Sequence, residues 1–176
     1  MFTLQKDEIR AFVRKCFNTL NGVVNPNVRI NNIVEDNTIQ FAACMVRYEG
    51  DYNEIKFNVN IIQSVIYKYQ SQMGKYNSIL HTILHELYHA NQEIDQSKYD
   101  ANSQYREFIE FICNAYAARF MDNYRDWIKL KLGVDVNDKD FLDQYAVHIY
   151  VLKMMESAYI ASGTISWPMY ISVLKG

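Results

Sequence analysis

Proline, glycine, cysteine and histidine are all scarce in this 176-residue chain, and each shortage excludes something. Only two prolines occur, Pro26 and Pro168, and no low-complexity tract or repeat is present. Nothing therefore marks a linker, and residues 1–176 read as one domain, long enough to bury a core. The three cysteines, Cys16, Cys44 and Cys113, are odd in number, widely spaced and without a CxxC pair. That argues against a disulfide framework or a cysteine-only zinc site, and for buried free thiols in a reducing compartment. No run of about 18 apolar residues exists, so no transmembrane helix is expected. Asp7 and Glu8 stand where a signal peptide would carry its apolar core. A net charge of −2 gives no strong basic field, so neither nucleic acid nor a membrane is an expected partner. The expected location is cytoplasmic, in the encoding cell or a host.

What is present is apolar and patterned. Ile9, Phe12, Val13, Cys16, Phe17 and Leu20 recur at helical spacing, with Thr3 as a plausible N-cap. Strand signals follow at Val28–Val34, Thr38–Arg47 and Glu54–Ile61. In the last of these Ile55, Phe57, Val59 and Ile61 alternate with polar residues. A small antiparallel sheet is expected. From Ile62 the pattern is helical: a short helix to Gln70, a break at Met73–Asn77, then helices over Ser78–Glu93, Ser103–Leu130 and Lys139–Ala161. Strands first and helices later predicts an α+β fold.

The chemistry sits in Leu84-His85-Glu86-Leu87-Tyr88-His89. Residues i and i+4 lie one above the other on a helix face, so His85 and His89 can direct two imidazoles at one metal ion. Glu86, beside the first, can reach a metal-held water without ligating the metal. Zinc lowers the pKa of such a water toward about 7, and a carboxylate can then accept its proton. The segment carries its own apolar stripe of Leu80, Ile83, Leu84, Leu87 and Tyr88, and three of the four histidines fall between positions 81 and 89. A catalytic zinc takes three protein ligands and keeps one position open. Downstream, Glu107, Glu110 and Asn114 share one helix face, and a loop at Asp95–Ala101 lets the chain double back, bringing a glutamate over the metal. Glu93, one turn after His89, is a second candidate. His81 reads as a partly exposed or capping histidine.

HExxH followed by a helix with E-x-x-x-N resembles the gluzincin metallopeptidases, most closely the minigluzincins and the ImmA/IrrE-type peptidases of phages and mobile elements. The run Leu84–Gln92, LHELYHANQ, is similar to the active helix of small phage-borne zincin-like proteins. The resemblance covers about 60 residues, from Glu54 to the helix around Phe120. It implies a zincin-like fold, with the sheet packed on the HExxH helix beside additional long helices. It implies Glu110 as third zinc ligand, Asn114 as support for a zinc histidine, and Glu107 as an outer support or solvent-facing residue. The implied activity is hydrolysis of a protein or peptide substrate, with a specific intracellular protein as target. Two departures stand out: Cys113 precedes Asn114 where a small or acidic residue is usual, and no helix-turn-helix accompanies the motif.

Peptide hydrolysis also needs a donor for the developing oxyanion, for which His148 is the candidate, with Tyr145 behind it. The strand Glu54–Asn60, with Lys56, Asn58 and Asn60 on its polar face, could hold an extended peptide at a sheet edge. Three other readings stay open: a zinc-stabilised binding or regulatory module without turnover, a zinc amidohydrolase on a non-peptide substrate, and a metal-free helical structural protein.

Overall fold

The computed structural model describes residues 3–143 and Tyr150. It is an α+β arrangement in which three short strands and a set of helices surround one central helix. The first helix, α1 (Lys6–Leu20), buries the six positions of the predicted stripe. Gln5, not Thr3, is its N-cap, and the Gln5 backbone N–H donates to the Glu8 carboxylate at 2.7 Å, part of a capping box.

Strands β1 (Asn32–Glu35), β2 (Ala43–Arg47) and β3 (Asn53–Phe57) form a sheet of order β1-β3-β2. β2 and β3 are antiparallel, with Met45 opposite Ile55. β1 runs parallel to β3, with Ile33 opposite Ile55. The sheet is thus mixed, which corrects the antiparallel expectation. Alternation of side chains specifies the faces of a strand but not which neighbour it pairs with, and here β3 returns between the two earlier strands.

The strand expected to reach Ile61 stops at Phe57. Asn58 turns the chain instead: its side-chain oxygen accepts from the backbone of Asn60 at 2.9 Å and Ile61 at 3.2 Å. It thereby caps α2 (Val59–Ile66). The Asn58 amide also donates to the carbonyls of Asn37 and Ile39.

The HExxH helix, α3 (Gln72–Ala90), starts six residues before the predicted Ser78 and runs through the segment expected to break it. Ser71 caps it by accepting from the Gly74 N–H at 2.7 Å. Asp138 accepts from the Ser71 hydroxyl at 2.8 Å, and Asp140 from the backbone N–H groups of Gln70 and Ser71. Gly74 is needed for this close approach: a Cβ there would lie 2.9 Å from Ser71 Oγ and 3.1 Å from Asp140 Oδ2. Leu80, Ile83, Leu84 and Leu87 on α3 are completely buried. Each such side chain contributes roughly 1.5–3 kcal/mol, so turning α3 to aim His85 elsewhere would forfeit several together.

Helices α4 (Gln96–Ala101), α5 (Ser103–Asn123) and α6 (Arg125–Leu132) follow. The single helix expected over Ser103–Leu130 is divided at Tyr124 (φ −115°, ψ 30°), while Gly133 at φ +75° ends α6 as expected. Residues 139–143 are helical; the rest of the predicted Lys139–Ala161 helix, apart from Tyr150, lies outside the described residues. α1, α5 and β2 all pack against α3. The three cysteines are free; Cys16 and Cys113 are buried, whereas Cys44 on β2 is partly exposed.

Gly74→Ala is expected to lower the denaturation midpoint. At an open, compatible position the same change would stabilise by roughly 0.4–1 kcal/mol, so a raised midpoint would contradict the close approach at Ser71 and Asp140.

Candidate metal centre

α3 presents His85 and His89 on one face, one turn apart, with their Nε2 atoms 2.9 Å from each other. α5 brings Glu110 over them. Its Oε2 lies 3.0 Å from His85 Nε2 and its Oε1 3.4 Å from His89 Nε2. The three side chains offer donor atoms within 4.8 Å of one another and could hold a metal ion. In a tetrahedral zinc site with bonds of about 2.0–2.1 Å, neighbouring donors lie about 3.3–3.4 Å apart, close to the observed spacing.

The far side of each imidazole determines what the near side can do. His85 Nδ1 lies 2.8 Å from Asn114 Oδ1, and His89 Nδ1 lies 3.0 Å from Gln92 Oε1. An amide oxygen only accepts, so each Nδ1 carries a proton and donates it. Each neutral ring then points an Nε2 lone pair at the other ring and at the Glu110 carboxylate. Lone pairs converging in this way repel unless a cation or a proton lies among them. The donor set therefore fits a metal ion on its own chemistry, with nitrogen and oxygen ligands of the kind zinc accepts.

A proton can take the cation's place among these groups. Burial acts to raise the Glu110 pKa, but His85 and His89, donating through Nε2 when protonated, overcome it and hold the carboxyl well below the usual range. Burial acts against a charged His85, yet Glu110 and Glu86 outweigh it and raise its pKa. Glu86 is buried and accepts from the Met45 backbone N–H at 2.8 Å. Burial raises its pKa, although the neighbouring His85 and His89 pull the other way. A carboxylate with raised proton affinity beside a metal site is suited to take up a proton.

One residue at the centre had no signal in the sequence. Tyr99, on α4, donates its hydroxyl to Glu110 Oε1 at 3.1 Å. Burial and the Glu110 charge push its pKa up to about 12, so it remains a donor. Residues 95–101 read as loop, and nothing separates Tyr99 from the other thirteen tyrosines. Gln92 is visible in sequence only as the end of the LHELYHANQ run.

Other expectations are redistributed. His81 is only 3% exposed, with Nε2 3.2 Å from the Asn114 carbonyl, which corrects its reading as a partly exposed or capping residue. Glu93 is exposed and outside the ligand group. Glu107 is exposed, makes no hydrogen bond among the described residues, and lines a shallow depression shared with Glu110 and Asn114. The edge-strand role expected for Glu54–Asn60 is also corrected: β3 is the middle strand, paired on both sides. Lys56 is bound to Asp36 at 3.1 Å, Asn58 is buried as a cap, and Asn60 is exposed on α2. The edge strands are β1 and β2, and of these β2 lines the cleft. His148 and Tyr145 lie outside the described residues.

Between β2 and helices α4 and α5 opens a cleft of about 840 Å³, lined in part by Glu86, His89, Tyr99 and Glu110. No helix among the described residues is long and apolar enough to cross a membrane. Compared with protein-family models, curated proteins and solved structures, the chain matches none.

A metal ion held by His85, His89 and Glu110 should bind about 10–100-fold more weakly in Asn114→Ala, the usual consequence of removing a ligand's hydrogen-bond partner. Competition with a chelator measures this. Affinity equal to wild type would show that Asn114 does not orient His85.

Proposed function

We propose that the protein is a zinc-dependent metallopeptidase of zincin-like, gluzincin type that hydrolyses a peptide bond in a protein or peptide. One observation carries the reading: a buried carboxylate, Glu86, adjoins three converging metal-competent side chains at a cleft with a free strand edge along its wall. This combination fits hydrolysis better than a purely structural metal site, which would close its fourth position with a protein ligand.

Zinc bound by His85, His89 and Glu110 supplies polarisation of a carbonyl and acidification of a water molecule. Glu86 takes a proton from the attacking water and returns it to the leaving amine. Tyr99 would exchange its hydrogen bond to Glu110 for one to the carbonyl oxygen as negative charge develops there, the role expected from His148. Asn114 and Gln92 keep both Nδ1 protons in place, so that each imidazole offers Nε2. The free edge of β2 orders the substrate. The Ala42 carbonyl and Tyr48 N–H point toward the β3 side, where they bond to Asn58 and Tyr52. By alternation the backbone groups of Ala43, Met45 and Arg47 face away from β3; the Met45 N–H is bonded to Glu86, and the Met45 carbonyl with the backbone groups of Ala43 and Arg47 is left for an extended peptide to pair with.

Two variants test this. Glu86→Gln should retain one zinc per chain by elemental analysis while peptide hydrolysis falls at least about 10²–10⁴-fold. A zinc-loaded wild type that cleaves no peptide, with Glu86→Gln indistinguishable from it, would point instead to a non-catalytic zinc module. Tyr99→Phe should lower kcat about 10²–10³-fold with little change in KM. A change confined to KM would remove Tyr99 from transition-state stabilisation.

A further inference from the structure

Two arginines line the cleft, each hydrogen-bonded through a single terminal nitrogen, and one of them, Arg106, stands one turn before Glu110 on the same helix. Arg47, on β2, spends Nη2 on the carbonyls of His89, Ala90 and Gln92 at 3.1, 3.4 and 2.7 Å. It closes the C-terminal end of α3, where cations are favoured. Arg106, on α5, is exposed and held by one nitrogen only. Its Nη1 donates to the carbonyls of Tyr99 at 3.2 Å and Asp100 at 3.4 Å. Its guanidinium carbon lies 5.9 Å from the centre of the Tyr99 ring. Nε and Nη2 have no partner among the described residues, and no carboxylate among them forms an ion pair with it. The guanidinium is thus anchored through Nη1, with its Nε–Nη2 edge without a partner among the described residues, in a cleft lined opposite by the apolar side chains of Phe41 and, on β2, Met45 and Val46.

We infer that Arg106 is a specificity-determining residue that binds a substrate carboxylate. This rests on the metallopeptidase reading above. The distance along the cleft follows from helix geometry. Arg106 precedes Glu110 by four residues, a rise of about 6 Å along α5. An extended peptide advances about 3.3 Å per residue, so the carboxylate sits about two residues from the scissile bond. An arginine fork with free donors matches a carboxylate's two oxygens. Two sources present that chemistry: an acidic side chain, or the C-terminal carboxylate of the substrate chain.

The test uses the full chain loaded with zinc and peptide hydroxamates, which bind a catalytic zinc without being cleaved. Two series place the hydroxamate at the N- or C-terminal end, covering both sides of the metal. Each series compares Glu with Gln at the second residue. The series with a free peptide C-terminus also compares carboxylate with amide there, so the two sources are read separately. In one series wild type should bind the carboxylate form at least about tenfold more tightly than its neutral partner, as expected for a charge-assisted hydrogen bond. Arg106→Gln should abolish the difference, and Arg106→Lys should restore part of it. Equal binding of charged and neutral peptides by wild type overturns the inference and leaves the metallopeptidase reading standing. So does a preference that survives Arg106→Gln. Failure of every hydroxamate to bind overturns both.

Discussion

The packing of α5 across α3 is the interaction on which the centre depends. From one face of α5, at a spacing of four residues, come the carboxylate that meets both imidazoles and the amide that orients one of them. His81 adds a third tie by bonding the Asn114 carbonyl. Sliding α5 by one turn would remove the third donor and the His85 orientation in a single step. α3 cannot follow such a slide, because Leu80, Ile83, Leu84 and Leu87 hold it from behind. The helices that carry the ligands are thus fixed by packing behind them, and the ligands themselves by bonds from Asn114, Gln92 and Tyr99.

The cleft walls are fastened to the same helix. Glu86 bonds the backbone of Met45, and Arg47 bonds the last carbonyls of α3. The free edge of β2 is therefore held in register with His85 and His89. On the opposite wall α4 is a short helix with no buried residue of its own, yet Tyr99 reaches Glu110 from it and the carbonyls at its end steady Arg106. The start of α3 is secured from far along the chain, through Asp138 and Asp140 at the Ser71 cap.

Much of this was legible in the sequence, and the misses have physical causes. The α1 stripe was read residue by residue, because an amphipathic helix writes its buried face into a 3.6-residue period. The α+β class and the pairing of His85 with His89 follow from local spacing in the same way. The helix start at Gln72 was missed because Met73-Gly74-Lys75 resembles a break; the glycine is there for space at the cap, not to end the helix. The strand end at Phe57 was missed because Asn58 fits an alternating polar face as well as it fits a cap.

The sequence by itself determined what a helix face can express: two imidazoles one turn apart, a carboxylate beside the first, and an E-x-x-x-N pair on a later helix. These relations are local, set by backbone geometry within a few residues. Only the tertiary structure decided which edge strand lines the cleft, that Asn114 serves His85 while Gln92 serves His89, and that Tyr99 joins the centre. Each of these is a contact between segments whose separation carries no periodic signal. Strand order depends on how hairpins assemble, and Tyr99 depends on where α4 is laid across the cleft. Such choices are made by the packing of the whole chain around α3.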